Sequence, residues 1–244
     1  MRVSYERGVG RWGLLLLAVF CTGCATNVND LLREARSGDP ASVEDAVVEI
    51  GEILFEKEAA GAPYTRGDEA GVKYLIEVAE KSDDDLNRAR AVGALGRLSR
   101  PDVSALFMTS MTDRFWAVRL EAGKGLTRRA VPSDAARIAM QLDREPRPEV
   151  RIELIRALAK AGGDDALEAL LRVVVDRSSR FALNKLSAYE AVRNLSQQTF
   201  DLEDQTSWRG YYDKRFRSDA AKEGDDGRSQ SIGGPARDSA GPPS

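Results

Sequence analysis

The chain has 244 residues, 42% hydrophobic and 31% charged, a balance that suits a globular protein with an apolar core. It has no His, and its two cysteines, Cys21 and Cys24, both lie in the first 24 residues. Imidazole-activated nucleophiles, His-based zinc sites and imidazole proton shuttles are therefore excluded, as is a disulfide in the body of the protein. Aromatics reach only 7%, β-branched runs are scarce, and Leu, Ala, Glu and Arg dominate, so the expected fold class is all-α.

The chain opens on Arg2, Arg7 and Arg11, followed by an apolar run from Trp12 to Phe20 interrupted only by Gly13, and then by Thr22, Gly23 and Cys24. That order is the charged, apolar and cleavage region of a secretory signal. A short transmembrane anchor is the other reading, but spanning needs about 20 apolar residues and this run is near half that. The segment Cys21-Thr22-Gly23-Cys24 resembles the bacterial lipobox, with Cys21 standing where the family usually has Leu. The resemblance implies a signal peptide over 1–23, a covalent lipid on Cys24 and a lipidated leader over 24–30. Anchoring by several acyl chains is what stable membrane attachment requires. Ala25, rather than Asp, follows the cysteine. In a host with two membranes that resemblance implies the outer one, with the protein facing the periplasm.

Losing three arginines and Glu6 with the signal takes the net charge from −3 to about −5, so no nucleic-acid partner is expected. Beyond the leader, Asp39-Pro40 reads as a helix cap followed by Pro in the first turn, inside a first helical unit from Val28 to Glu58. Gly61, Pro63 and Gly67 predict a loop from Ala59 to Gly67.

An internal repeat follows. Four segments align on Leu95, Leu126, Leu158 and Leu195, spaced 31, 32 and 37 apart. Four positions before each stand Ala91, Ala122, Leu154 and Ala191, which marks one apolar helical face. Six after the first three stand Pro101, Pro132 and Asp164, residues that start a new helix. The second helix carries Phe107 and Met111, Ile138 and Leu142, Leu170 and Val174, each pair one turn apart, and ends near Asp113, Asp143 and Asp176. Neither helix of such a unit buries its apolar face alone, so stacked neighbours must supply the missing surface.

The pairs Val118-Arg119 and Val150-Arg151, with Arg88 at the same register and an Asp closing each preceding helix, resemble HEAT repeats. The resemblance covers about Gly67 to Gln198. It implies a right-handed α-solenoid of about five helix pairs over 31–198, with Arg88, Arg119 and Arg151 as an internal ladder bound to acids of adjacent units. The stretch Thr199 to Tyr212 resembles a C-terminal segment of bacterial HEAT-repeat proteins. Trp208, Tyr211 and Tyr212 fall on one face of a helix, predicting a capping segment over 199–217, although a ligand platform is the alternative. From 218 to 244 the composition is too poor in apolar residues to offset ordering, which predicts a disordered tail.

Two basic rows run at equal register. Lys124, Arg156 and Arg193 sit two before the anchor leucine, and Arg97, Arg128 and Lys160 two after it. Read functionally they dock an acidic partner or anionic headgroups. Read structurally they are a solvated face, with Glu121, Glu153 and Glu190 three residues before the first row and cations complementing helix ends. The acidic clusters Asp83-Asp84-Asp85, Asp164-Asp165 and Asp225-Asp226 lack the spacing of a calcium loop. No metal or cofactor is expected beyond the lipid on Cys24. The expectation is a non-enzymatic, membrane-tethered adaptor for a protein partner in the envelope; the alternatives are a HEAT-like lyase or enzyme accessory subunit, and a spacer with no specific partner.

Overall fold

In the computed structural model the described residues are 27–37, 39–176 and 182–217. The expected signal segment 1–23, Cys24 and the tail 218–244 with Asp225 and Asp226 lie outside them. All regular structure among the described residues is helical: α1 (Val28–Ala35), α2 (Pro40–Ala59), α3 (Arg66–Lys81), α4 (Asp85–Arg97), α5 (Ser104–Ser110), α6 (Trp116–Arg129), α7 (Ala135–Arg144), α8 (Pro148–Ala161), α9 (Gly163–Val175), α10 (Ala182–Ser196) and α11 (Gln205–Tyr212). None of these helices is long and apolar enough to cross a membrane.

Side-chain caps set most of the boundaries. The Asp39 carboxylate accepts from the Ser42 amide at 3.2 Å with Pro40 behind it, and Asp84 accepts from the Leu86 and Asn87 amides at 2.7 and 2.9 Å. Thr65 and Asp68 form a reciprocal capping box, so α3 begins at Arg66 and the loop is shorter than the expected 59–67. Gly67 thus stands in a helical first turn, where a Cβ would lie 2.9 Å from the Asn29 side chain. At the other side of the leader, Asn27 caps α1, whose Val28, Leu31, Leu32 and Ala35 are buried; the helix therefore begins inside the 24–30 segment. Pro101 and Pro132 each open one 3-10 turn that leads into α5 and α7. Gly162 and Gly163, at φ of 68° and 81°, make the tight turn between α8 and α9, a conformation that a side chain would strain.

The helices pack as hairpins, α1 on α2, α3 on α4, α5 on α6, α7 on α8 and α9 on α10. The repeat frame therefore falls one helix earlier than the leucine alignment suggests, because the Pro101 and Pro132 turns carry the chain away from each anchor helix into the next hairpin. Helices α2, α4, α6, α8 and α10 each pack on the next, while α1, α3 and α5, and then α7, α9 and α11, adjoin in order on the other side.

One continuous core runs between these two ranks. Leu95, Leu126 and Leu158 are all within 1% of complete burial, and Leu195 packs half-buried at the edge. Each fully buried leucine contributes about 1.5–3 kcal/mol. Close approach within the core depends on a missing side chain at Gly125: a Cβ there would meet the Phe107 ring at 2.7 Å.

Candidate functional site

The arginines separate into three settings. In the first, Arg88 of α4 reaches forward to Asp113 before α6, Nε to Oδ2 at 3.1 Å and Nη2 to Oδ1 at 3.0 Å, and also holds Asp85 at 2.6 Å. Arg119 of α6 makes the same two-pronged contact one hairpin on, with Glu145, at 2.7 and 2.9 Å. Glu145 is buried; burial pushes its carboxyl up, but hydrogen bonds from Arg119 and the Arg147 amide and the Arg119 charge outweigh that and hold it below 4.5. Arg151 of α8 donates to the carbonyls of Leu142 and Glu145. Arg88 and Arg119 tie neighbouring hairpins together, whereas these two bonds of Arg151 brace its own α7–α8 hairpin.

The second setting is exposed. Lys124 bonds Glu121 at 2.7 Å and Arg156 bonds Glu153 at 2.6 Å, each three residues along one helix. Arg193 lies 5.5 Å over the Tyr189 ring, beside a shallow polar cleft of about 430 Å³ lined by Glu190, Asn194 and Gln197. The row expected from Lys124, Arg156 and Arg193 is thus interleaved with carboxylates and presents little net charge.

The third setting gathers two members of the other row into one cleft of about 610 Å³ at the C-terminal ends of α4 and α6. Arg97 forks onto Glu52 and lies 4.0 Å over the Phe55 ring. Arg128 donates to the Gly96 carbonyl at 2.9 Å. Lys160, the third member of that row, is exposed near the end of α8 and does not line the cleft.

Beside Arg128 stands Arg129, which the register argument passes over. It donates to the carbonyls of Gly96 and Gly125 at 3.2 and 3.1 Å and lies 5.1 Å over Phe107. Burial and then the Arg128 charge push its guanidinium below its ordinary value, with Glu58 partly opposing them. The signal available in the sequence was the doubled arginine at the end of an amphipathic segment, immediately before Ala130, Val131 and Pro132.

Behind the cleft, Glu58 accepts from the Ser99 amide at 2.6 Å and from the Tyr64 hydroxyl at 3.2 Å. Burial raises Glu58, yet the bonds from Ser99 and Tyr64 and the Arg129 charge hold it below 4.5. Tyr64 itself is pushed up to about 12 by burial, the Glu58 charge and their hydrogen bond, so its hydroxyl remains a donor near neutral pH. The charged side chains lining the cleft are all basic, with Glu52 and Glu58 held to the side and rear.

The two acidic clusters within the described residues have partners. Asp84 caps α4, Asp85 bonds Arg88 and Arg114, and Asp164 in the first turn of α9 bonds Arg215 at 2.6 Å. Among the described residues no group of three acids, cysteines or histidines is placed to hold a metal. At the C-terminal end, Trp208 is completely buried, edge-on to Tyr189 and Phe200 at 5.9 and 5.0 Å, with its Nε1 donating to the Asp201 carbonyl at 2.9 Å. Tyr211 and Tyr212 are half-buried, Tyr212 donates to Glu168 at 3.3 Å, and α11 packs on α9.

No family model and no curated protein matches the chain. Twelve solved chains match, among them a crystal structure of an engineered protein, 16% identical, covering 81% of this chain and 93% of that one at a TM-score of 0.47.

Proposed function

We propose that this chain is a scaffold of the bacterial cell envelope, a right-handed solenoid of HEAT-type helix pairs that presents an elongated surface to a protein partner. The reading is carried by the repeated cross-link between hairpins: Arg88 to Asp113 and Arg119 to Glu145 occupy the same register one hairpin apart. A stack built this way exposes a long rank of helices and buries its hydrogen-bonding capacity between units. In this reading α11, with Trp208, Tyr211 and Tyr212, closes the last apolar face. The same reading makes residues 1–23 an export signal and Cys24 the lipid-bearing residue that holds the protein to the outer membrane, facing the periplasm where the host has two membranes.

The test is affinity capture of the full-length protein from its native envelope in mild detergent, with a Cys24→Ala form alongside, followed by mass spectrometry of bait and companions. Acylated Cys24 with a stoichiometric companion is the expected result. Unmodified bait removes the tether from the proposal, and acylated bait with no companion above background removes the adaptor role.

A further inference from the structure

The two rows of cations differ in what a ligand would have to displace. A carboxylate approaching Lys124 or Arg156 must compete with Glu121 or Glu153, each already bonded. Arg128 and Arg129 have no carboxylate within ion-pair distance among the described residues, and they donate to the backbone carbonyls of Gly96 and Gly125. Neutral carbonyls leave most of a guanidinium's donor fork and its charge unsatisfied, and a carboxylate satisfies both at once. The Arg129 head is also partly withdrawn from water beside a second cation, which strengthens its attraction for an anion.

The cleft has exposed apolar surface as well. Pro101 and Val131 line it beside the arginines, and Val131 is half exposed. At about 610 Å³ the space lies within the roughly 300–1,000 Å³ typical of ligand sites. The arginines line a recess, and Arg129 lies over the buried Phe107 ring, a geometry that suits a chain entering a cleft better than a flat membrane surface.

We propose that the cleft between the ends of α4 and α6 docks an acidic peptide segment of a partner protein, its carboxylate clamped by Arg128 and Arg129 and an adjacent aliphatic side chain laid against Pro101 and Val131. This deepens the scaffold reading and rests on it. Arg97, already bound to Glu52, forms the side wall.

The experiment is fluorescence-anisotropy titration of the detergent-solubilised full-length protein with a labelled peptide of alternating glutamate and leucine. Saturable binding is expected, weakened about tenfold in Arg128→Gln by loss of one charge-assisted contact. Arg128 is exposed, so this variant should keep the wild-type circular dichroism spectrum. A control carrying both Lys124→Gln and Arg156→Gln removes more charge and should bind like wild type.

Equal weakening in the control, absence of saturable binding, or equal affinity for an all-glutamate peptide of the same length would overturn the assignment, as would binding only to phosphatidylglycerol vesicles. If the envelope companion is still captured while the peptide fails, the cleft assignment falls and the scaffold stands. If no companion is captured by any form, both fall.

Discussion

Arg119 and Arg156 lie on adjacent helices of one rank, and each bonds a glutamate at about the same distance, yet the two pairs occupy different media. The Arg119–Glu145 pair is nearly enclosed, with side-chain exposures of 12% and 0%, whereas Arg156 is 61% exposed. Removing one partner from the enclosed pair leaves a desolvated charge with no counter-charge, and removing one from the exposed pair leaves an ion in water. Repeat register alone therefore says little about what an arginine does; the side of the helix and the reach of the next hairpin decide it.

The largest effect should come from breaking the enclosed pair. Arg119→Ala is expected to lower unfolding stability by about 3–5 kcal/mol, read from urea denaturation. Replacing both partners, Arg119→Met with Glu145→Leu, should recover most of that loss, because no buried charge is then left alone. A double variant as unstable as the single one would show that Arg119 acts through its bonds to the Asp113 and Arg114 carbonyls instead.

The same pair should give acid sensitivity. The Glu145 carboxyl is held below 4.5 in the folded protein, so the unfolded state binds the proton first as pH falls. Its contribution to stability is complete above pH 4.5 and is lost as pH drops through the lower folded value. Asp68, held below its ordinary 3.8 by Lys57 and Thr65 against the opposing effect of burial, adds to this in a slightly more acidic window. The urea midpoint should therefore decline between about pH 5 and pH 3, and Glu145→Gln should flatten the upper part of that decline. An unchanged profile in that variant would show that Glu145 does not govern the acid transition.

A middle-sized effect is expected at Gly125, where α6 passes against α5. Gly125→Ala places a methyl group 2.7–2.9 Å from three atoms of the Phe107 ring. Helix propensity favours alanine, but the ring is fully buried and has little room to retreat, so a net loss of about 1–3 kcal/mol is expected in the same denaturation assay. Stabilisation by this substitution would mean that the ring and its Arg129 partner shift at little cost.

Most of the helix layout was legible because amphipathic periodicity is a local property. The leucine anchors and the residues four before them repeat on one face, and Ala91, Ala122, Leu154 and Ala191 are all buried. The cap at Asp39 was legible for the same reason. The Ala59–Gly67 loop was misjudged because the reciprocal bonds of Thr65 and Asp68 outweigh the glycine at 67. The cleft was only half legible. Arg97 and Arg128 lay in the expected row, but Glu52, which neutralises Arg97, comes from 45 residues away, and Arg129 is one residue off register. Charge pairing across hairpins depends on contacts that spacing within one repeat does not encode.

The smallest effect should be at the exposed end of the comparison. Lys124→Gln and Arg156→Gln each remove one ion pair whose cation is largely solvated, at 49% and 61% exposure. Screening and the entropy of holding two long side chains together limit such pairs, so each substitution should change stability by no more than about 0.5 kcal/mol, and less still at high salt. The two sites are on neighbouring helices but share no bond, so their effects should add within error. A loss above about 1.5 kcal/mol at either site would mean that Glu121 or Glu153 carries a constraint between helices beyond its ion pair. Glu153 is the place to look for it, because its Cβ lies 2.8 Å from where a side chain on Gly123 would begin and its side chain is only 13% exposed.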